Sequence, residues 1–300
     1  DGWVESPDLE ALFTLALRNQ SSLGRFIDGH PLRARLLNLL YLLNRNSRTG
    51  SKRNISAHYD LGNPFYQLWL DPSMTYSSAI FASEDESLEE AQRNKYRRVA
   101  DMAGITPGSS VLEIGCGWGG FAERAAGQGR HVTGITISPS QHGFADARLD
   151  GRAEIQLCDY RDTKGKFDAI VSIEMIEAVG ERYWPQYFAM LKDRLAEGGR
   201  AMVQAITVPD AYFDIYRKGS DYIRQYTFPG GMLLSDAVIA HHAERAGLKV
   251  VDNFGFGQDY ARTCRMWSER LTAVSDKVLG LGYDQAFLRN WQFYLQICAA

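Results

Sequence analysis

Residues 111–120 read VLEIGCGWGG, an apolar run that contains an acid and passes into three alternating glycines. The acid is Glu113, and the glycines are Gly115, Gly117 and Gly119. A buried strand followed by a glycine-rich turn and a helix lets the backbone come very close to a ligand. The stretch therefore predicts the first strand, turn and helix of an α/β fold, with a ligand site at the turn.

The glycine spacing G-x-G-x-G indicates which ligand is expected. It differs from the G-x-G-x-x-G of dinucleotide sites, in which the loop and the helix N-terminus bind a pyrophosphate. An acid before the glycines suits a ligand that carries an ammonium group, and S-adenosylmethionine (SAM) is such a ligand. The spacing disfavours a nicotinamide-dependent oxidoreductase, and the alternative without a ligand is an ordinary strand–turn–helix joint.

The composition narrows the class of protein. A chain of 300 residues that is 45% hydrophobic suffices for one large domain or a domain with appendages. The net charge of −3 gives no case for nucleic-acid binding. The four cysteines lie far apart without a C-x-x-C spacing, so neither a metal site nor a disulfide framework is predicted. That cysteine usage fits the cytoplasm, and no membrane span or signal peptide is expected.

Strands alternate with helices in the middle of the chain, which is typical of a parallel sheet covered on both faces. We predict strands over 109–114, 131–136, 153–158, 167–173 and 200–207, and helices over 118–128, 139–149 and 183–196. A final strand pair at 247–253 and 260–266 is expected to complete the sheet. An insertion rich in tyrosine and phenylalanine, at about 209–235, interrupts the alternation beside the strand ends where α/β folds bind ligands.

The first 53 residues are predicted to form a helical N-terminal segment. Residues 32–43 are leucine-rich, and six basic residues without an acid lie between Gly29 and Arg53. A leucine-rich helix with basic flanks suits an anionic membrane surface. The alternative is a helix packed on the body of the protein with solvated ends.

Several motifs in order resemble the cyclopropane-fatty-acyl-phospholipid synthases and the mycolic acid cyclopropane synthases. They are NISAHYDLGNPFYQLWLDPSMTYSSAIF (54–81), VLEIGCGWGGFAERAA (111–126), VTGITISPSQ (132–141), DYRD (159–162), FDAIVSIEMIEAVG (167–180) and FPGGMLLS (228–235). The resemblance runs from about residue 50 to the end. It implies a class I SAM-dependent methyltransferase domain over 54–300, Rossmann-like with a mostly parallel seven-stranded sheet and a cover over 54–103.

The resemblance also implies where SAM binds. Tyr76 and Ser77 match the family's Tyr-Ser pair at the methionine part of SAM, and Gly115 and Gly117 match its glycine loop. The remaining matches are a ribose-side pair, Thr136 and Gln141, and an acid near the adenine, Asp159.

The family's activity is methyl transfer to the cis double bond of a lipid acyl chain. A bound bicarbonate, held by a Cys, a Glu, a His, an Ile backbone group and a Tyr, is implicated in removing the proton. Glu177, Ile206 and Tyr260 match three of these ligands. Ser78 replaces the cysteine and Gln204 the histidine, which leaves bicarbonate binding open.

A further departure is Glu174, where the family usually has a small residue. Two carboxylates three apart, Glu174 and Glu177, are expected to share one side of a helical turn and to perturb each other's titration, which suits a base. The alternative is that Glu174 faces solvent or pairs with a basic residue.

The resemblance thus predicts a SAM-dependent C-methyltransferase that acts on unsaturated phospholipid acyl chains, cytoplasmic and peripheral to the inner face of the membrane. Methylation without ring closure is the first alternative, giving methyl-branched unsaturated acids that furan lipid pathways could consume. A non-catalytic lipid- or SAM-binding homologue is the second. The choice between a monomer and a homodimer stays open.

Overall fold

A five-stranded parallel sheet with the order β3-β2-β1-β4-β5 organises the protein. The computed structural model describes residues 6–19, 50, 61–219 and 221–300. The strands are β1 (Ser110–Ile114), β2 (His131–Thr136), β3 (Glu154–Leu157), β4 (Phe167–Ile173) and β5 (Leu195–Gln204). The strand order reverses between β1 and β4, and open α/β sheets bind ligands beyond the carboxyl ends of strands at such a point.

Helices cover the sheet and extend beyond it. Before β1 they are α1 (Leu9–Arg18), α2 (Asn63–Gln67) and α3 (Leu88–Met102). Between the strands lie α4 (Gly120–Ala126), α5 (Pro139–Leu149) and α6 (Trp184–Arg194). After β5 follow α7 (Asp210–Lys218), α8 (Asp236–Arg245), α9 (Gly257–Ala273), α10 (Ser275–Gly280) and α11 (Gln285–Ala299). The predicted α/β fold and its alternation of strands and helices are confirmed, but the last strand, β5, begins and ends earlier than the predicted 200–207.

The prediction of two last strands is wrong, so the described sheet has five strands and not seven. Residues 247–253 have no regular structure, and 260–266 lie within α9. The physical reason is the spacing of the buried positions of α9, because Thr263, Cys264, Trp267 and Leu271 recur every three or four residues. That period belongs to a helix face and not to a strand.

A cluster of aromatic side chains fixes the cover against the C-terminal helices. Phe65 of α2 contacts Trp291 of α11 at 5.0 Å between ring centroids, and Trp69 contacts Trp267 of α9 at 5.8 Å. Tyr76 contacts Trp267 at 5.3 Å. These rings are largely buried and hold the segment that follows α2 beside the carboxyl edge of the sheet.

The N-terminal segment is described only at residues 6–19 and 50. Helix α1 packs on α11, with Phe13 and Phe293 at 4.9 Å between ring centroids. The basic leucine-rich stretch predicted to meet lipid lies outside the described residues. In the described part of the chain, no helix has both the length and the apolar character needed to cross a membrane.

Candidate active site

A cavity of about 450 Å³ lies where the strands end and the loops of the sheet's carboxyl edge meet. Its wall contains Tyr76, Ser77, Glu113, Gly115, Gly117, Thr136, Gln141, Asp159, Glu174, Glu177, Ile206 and Tyr260. The structure therefore brings twelve of the fourteen predicted site residues to one cavity. Ser78 and Gln204 are the two that do not line it.

The glycine loop after β1 has the conformation that its sequence predicts. Gly115 and Gly117 have φ values of +77° and +53°. A Cβ at Gly115 would lie 2.9 Å from Met175 Cγ, so no larger residue fits there without displacement. Nothing lies within 4 Å of a Cβ built at Gly117, which leaves its backbone open to the cavity.

Glu113 supplies a buried negative group beside this loop. Its side chain is nearly inaccessible, and its Oε2 atom has no hydrogen-bond partner within the described protein. Burial raises the pKa of Glu113 to about 8, against the lowering effects of the Ala122 backbone and Lys95. A buried acceptor left unsatisfied is costly, and an ammonium group of a ligand would satisfy it.

The ends of β2 and β3 carry the polar groups predicted for the nucleoside. Thr136 Oγ1 donates to Gln141 Oε1 at 3.0 Å, so the two side chains form one hydrogen-bonded unit. Ser138 caps α5 by accepting from the Gln141 backbone N–H at 3.3 Å. The Asp159 carboxylate forms an ion pair at 2.5 Å with Arg161, which belongs to the same DYRD motif.

Glu174 is the centre of the hydrogen-bond network on the β4 side. Its Oε1 accepts from the Ser78 backbone N–H and from Gln204 Nε2, both at 2.8 Å. Its Oε2 accepts from the Tyr260 hydroxyl at 3.2 Å. Burial raises the pKa of Glu174, while Lys95 and the three hydrogen bonds lower it.

The backbone at Glu174 is unusual as well. Its φ of +48° lies in the left-handed region that favours glycine. The expected helical turn is therefore absent at this residue, and a short 3₁₀ turn begins only at Ile176. The alternative of a solvent-facing Glu174 is wrong, because the side chain faces the cavity and its hydrogen bonds hold it there.

Glu177 lies on that 3₁₀ turn and also faces the cavity. Its Oε1 accepts from the Ile206 backbone N–H at 2.5 Å, and its Oε2 has no hydrogen-bond partner among the described residues. Burial and, after it, the charge of Glu174 raise the pKa of Glu177 to about 8. The expectation that Glu174 perturbs the titration of Glu177 is supported, whereas the pKa of Glu174 is shifted by burial, by Lys95 and by its three hydrogen bonds.

Ser78 and Gln204 contribute differently from what their motif positions predict. The Ser78 hydroxyl donates to the Ala79 carbonyl at 3.0 Å, so only the Ser78 backbone N–H reaches Glu174. Gln204 lies behind Glu174 and donates to it and, at 3.4 Å, to the Ser78 carbonyl. Neither residue lines the cavity, and the Ser78 backbone N–H and the Gln204 side chain hold the Glu174 carboxylate in place.

The insertion at 209–235 forms one wall of the cavity, but only some of its aromatic side chains line that wall. Tyr216 and Phe228 line the cavity. Phe213 instead packs against Trp184 at 6.4 Å between ring centroids, and Tyr226 is 70% exposed. The apolar wall that the insertion gives to the cavity therefore consists of some of its aromatic residues, together with Ile223, Met232 and Leu233.

Sequence reasoning missed Lys95 of α3, which is completely buried. A signal existed, because Lys95 lies four residues from both Ala91 and Val99 on the buried stripe of that helix. A lysine on a polar helix is usually solvated, which hides this signal.

The site residues fit SAM. A glycine loop open to the cavity, an unsatisfied buried carboxyl for an ammonium and a hydroxyl–amide pair for ribose hydroxyls match its parts.

Comparison with known proteins gives consistent matches. A family model described as "Mycolic acid cyclopropane synthetase" matches residues 46–300. "Tuberculostearic acid methyltransferase UfaA1" of Mycobacterium tuberculosis is 43% identical over 83% of this chain and 62% of its own length. "Cyclopropane-fatty-acyl-phospholipid synthase" of Escherichia coli is 34% identical over 100% of this chain and 76% of its own.

Among solved structures, mycolic acid cyclopropane synthase CmaA1 complexed with S-adenosylhomocysteine (SAH) and CTAB aligns with a TM-score of 0.76 and 28% identity. The alignment covers 83% of this chain and 92% of that one. The chain spans less than two thirds of the first three curated relatives, namely 62%, 59% and 64% of their lengths.

Proposed function

Because the chain belongs to the mycolic acid cyclopropane synthetase family of SAM-dependent methyltransferases, we propose that it methylates a cis double bond in an unsaturated phospholipid acyl chain. We propose further that the reaction ends in a methyl-branched alkene and not in a cyclopropane. SAM is the cofactor, and the residues described above hold it.

The observation that carries the choice of product is the position of the Glu174 carboxylate. Three of the five places that the family resemblance assigns to a bicarbonate ligand are Ser78, Gln204 and Tyr260. In this chain all three donate to Glu174, at 2.8, 2.8 and 3.2 Å. The other two, Glu177 and Ile206, bond to each other. A carboxylate of the protein thus takes the donors that an external anion would need.

The carboxyls facing the cavity suit the charge that the reaction develops. SAM, when bound, supplies an electrophilic methyl group, and an alkene that accepts it leaves a cation on the neighbouring carbon. With cationic SAM bound, the ionised forms of Glu174 and Glu177 are favoured, and their negative charge would stabilise a developing cation more than it would in water.

Glu174 then completes the reaction as the base. Its carboxylate takes a proton from a chain carbon next to the cation, and the electrons of that C–H bond form the new double bond. Ring closure would instead need a base at the newly added methyl group, which bicarbonate provides or organises in the resembling family. The negative charge of Glu174 would repel an additional anion, and the donors that such an anion needs already bond to Glu174.

The substrate class rests on the apolar part of the cavity and on the relatives. Tyr216, Ile223, Phe228, Met232 and Leu233 give a wall suited to an acyl chain. CTAB, present in the CmaA1 complex, is a detergent with one long alkyl chain. We place the reaction at an anionic inner membrane surface because six basic residues lie between Gly29 and Arg53.

The test is transfer of label from methyl-labelled SAM to vesicles of an unsaturated phospholipid, with the saturated phospholipid as the matched control. We expect label in the acyl chains of the unsaturated lipid only. Lipid binding and SAM binding without any transfer would overturn the proposal and favour a non-catalytic homologue.

A further inference from the structure

Helix α3 presents a buried cation to the cofactor side of the cavity. Lys95 has no exposed surface, and its Nζ donates to Ser77 Oγ at 2.6 Å. One turn earlier on the same helix, Gln92 Nε2 donates to the Ser77 backbone carbonyl at 2.9 Å. Both the hydroxyl and the backbone of Ser77 are therefore fixed from α3, while Ser77 itself lines the cavity.

The Lys95–Ser77 bond determines which way the serine hydroxyl can donate. An ammonium only donates, so the Ser77 oxygen is the acceptor in this bond. The hydrogen of the Ser77 hydroxyl remains for an acceptor elsewhere, and the cavity adjoins this residue. A hydroxyl that accepts from a cation is a stronger donor, because the bonds in such a chain polarise one another.

The groups around Lys95 show that its charge is not there to satisfy a single acid. The charges of Glu174, Asp71 and Glu113 all act on Lys95, and its Nζ lies 4.9 Å from the centroid of the Tyr96 ring. Among the described contacts, none of the three acids makes a direct ion pair with Nζ. Burial lowers the pKa of Lys95 to about 7, and the three acids raise it. A carboxylate bound at Ser77 would favour the charged form further.

We propose that Lys95 is a positioning residue which, through Ser77, makes the cavity select the carboxylate of the methionine part of SAM. Glu113 suits the ammonium of the same methionine part. Glu113 would therefore recognise the positive charge, and Lys95 with Ser77 the negative charge. The inference rests on the assignment of this cavity to SAM, and it does not depend on the lipid substrate or the product.

The rival role for Lys95 is a counter-charge for the three acids. The two roles predict opposite changes in SAM affinity when Lys95 is removed. If Lys95 is only a counter-charge, its removal should leave the binding of a cationic ligand unchanged or strengthen it, whereas the positioning role predicts weaker binding of SAM. Decarboxylated SAM separates the roles, since it keeps the sulfonium and the ammonium and lacks only the carboxylate.

The experiment measures the affinities of SAM and decarboxylated SAM by calorimetry for wild-type protein and Lys95→Met. We expect Lys95→Met to weaken the binding of SAM by on the order of tenfold to 100-fold. The binding of decarboxylated SAM should stay unchanged or become tighter. Equal effects on both ligands, or an intact preference for SAM, would overturn the proposal.

Two further variants control for folding and for net charge. Ser77→Ala removes the hydroxyl and keeps Lys95 and the three acids in the sequence, and it should abolish the same preference even if Lys95→Met does not fold. Arg93→Met removes a cation from the exposed side of α3 and should keep the preference. Wild-type protein that binds neither ligand would overturn the cofactor assignment and this proposal together, whereas SAM binding without lipid turnover would contradict only the proposed function.

Discussion

Three buried carboxyls, those of Glu113, Glu174 and Glu177, give the cavity its chemical character. Burial raises the pKa of all three, to about 8 for Glu113 and Glu177. A cation in the cavity favours their ionised forms, so binding of SAM should release protons. Occupation of the cavity by a cation therefore favours the negatively charged form of the site.

Glu177 should matter for turnover far more than for SAM binding. Glu177→Gln keeps an oxygen for the Ile206 N–H but removes the carboxylate that the proposed reaction uses. We expect turnover to fall on the order of 100-fold or more, with SAM affinity nearly unchanged. Steady-state rates and calorimetry measure the two effects, and near-normal turnover would show that the carboxylate is dispensable.

The same substitution should change how stability depends on pH. A pKa of about 8 in the folded state, above the ordinary 4.5, means that the folded protein keeps this proton longer than the unfolded chain does. The stability from Glu177 is thus present below pH 4.5 and lost as the pH rises through about 8. Without ligand, Glu177→Gln should exceed wild type in free energy of unfolding at pH 9, by a few kcal/mol at about 1.4 kcal/mol per pKa unit.

That difference should shrink towards pH 5, where folded wild-type protein holds the proton. Denaturant unfolding at the two pH values checks it. If Glu177→Gln is no more stable than wild type at pH 9, the inference that Glu177 is buried and ionises with a raised pKa is contradicted.

At the scale of elements, we predict that SAM binding depends on the loop after β1. Gly117→Val places a branched side chain on a backbone with φ of +53°, pointing into open space beside the cavity. We expect SAM binding to be lost while the fold is retained, as measured by calorimetry and circular dichroism. Gly151→Val is the matched control, because Gly151 has φ of +76° and an equally open Cβ position away from the cavity. Unchanged SAM affinity in Gly117→Val would remove this loop from the site.

The elements also show what the sequence could predict. The five strands from β1 to β5 follow from apolar runs separated by turn residues, and the motifs at their carboxyl ends predict most of the cavity wall. The segment 260–266 was misread because a short run such as YARTCRM fits a strand as well as a helix until the buried residues beyond it are included.

The contacts behind the wall could not be predicted from motifs. Glu174 was singled out as a departure from the family, yet its partners come from positions 78, 204 and 260, far apart in the chain. Such long-range side-chain contacts follow from the packing of several elements and not from any local pattern.

At the scale of the whole molecule, the proposed function requires the protein to reach a substrate that resides in a bilayer. The basic stretch between Gly29 and Arg53 lies outside the described residues, so its role is a prediction from charge alone. Each basic residue near an anionic surface contributes about 1 kcal/mol of attraction. Vesicle binding should therefore weaken as salt rises and when Arg33, Arg35, Arg45 and Arg48 are neutralised. Equal, salt-independent binding to neutral and anionic vesicles would contradict it.

The central claim is that Glu174 directs the methylated chain to an alkene. The most direct measurement is the structure of the product from unsaturated phospholipid and methyl-labelled SAM, by fragmentation mass spectrometry and proton NMR, with and without added bicarbonate. Glu174→Gly suits the positive φ of this position, and Asp150→Gly, at φ of +46° on the surface, is its matched control. We expect a methyl-branched alkene from wild type and Asp150→Gly, insensitive to bicarbonate, and loss of that alkene in Glu174→Gly. A dominant cyclopropane signal from wild-type protein, stimulated by bicarbonate, would contradict the account.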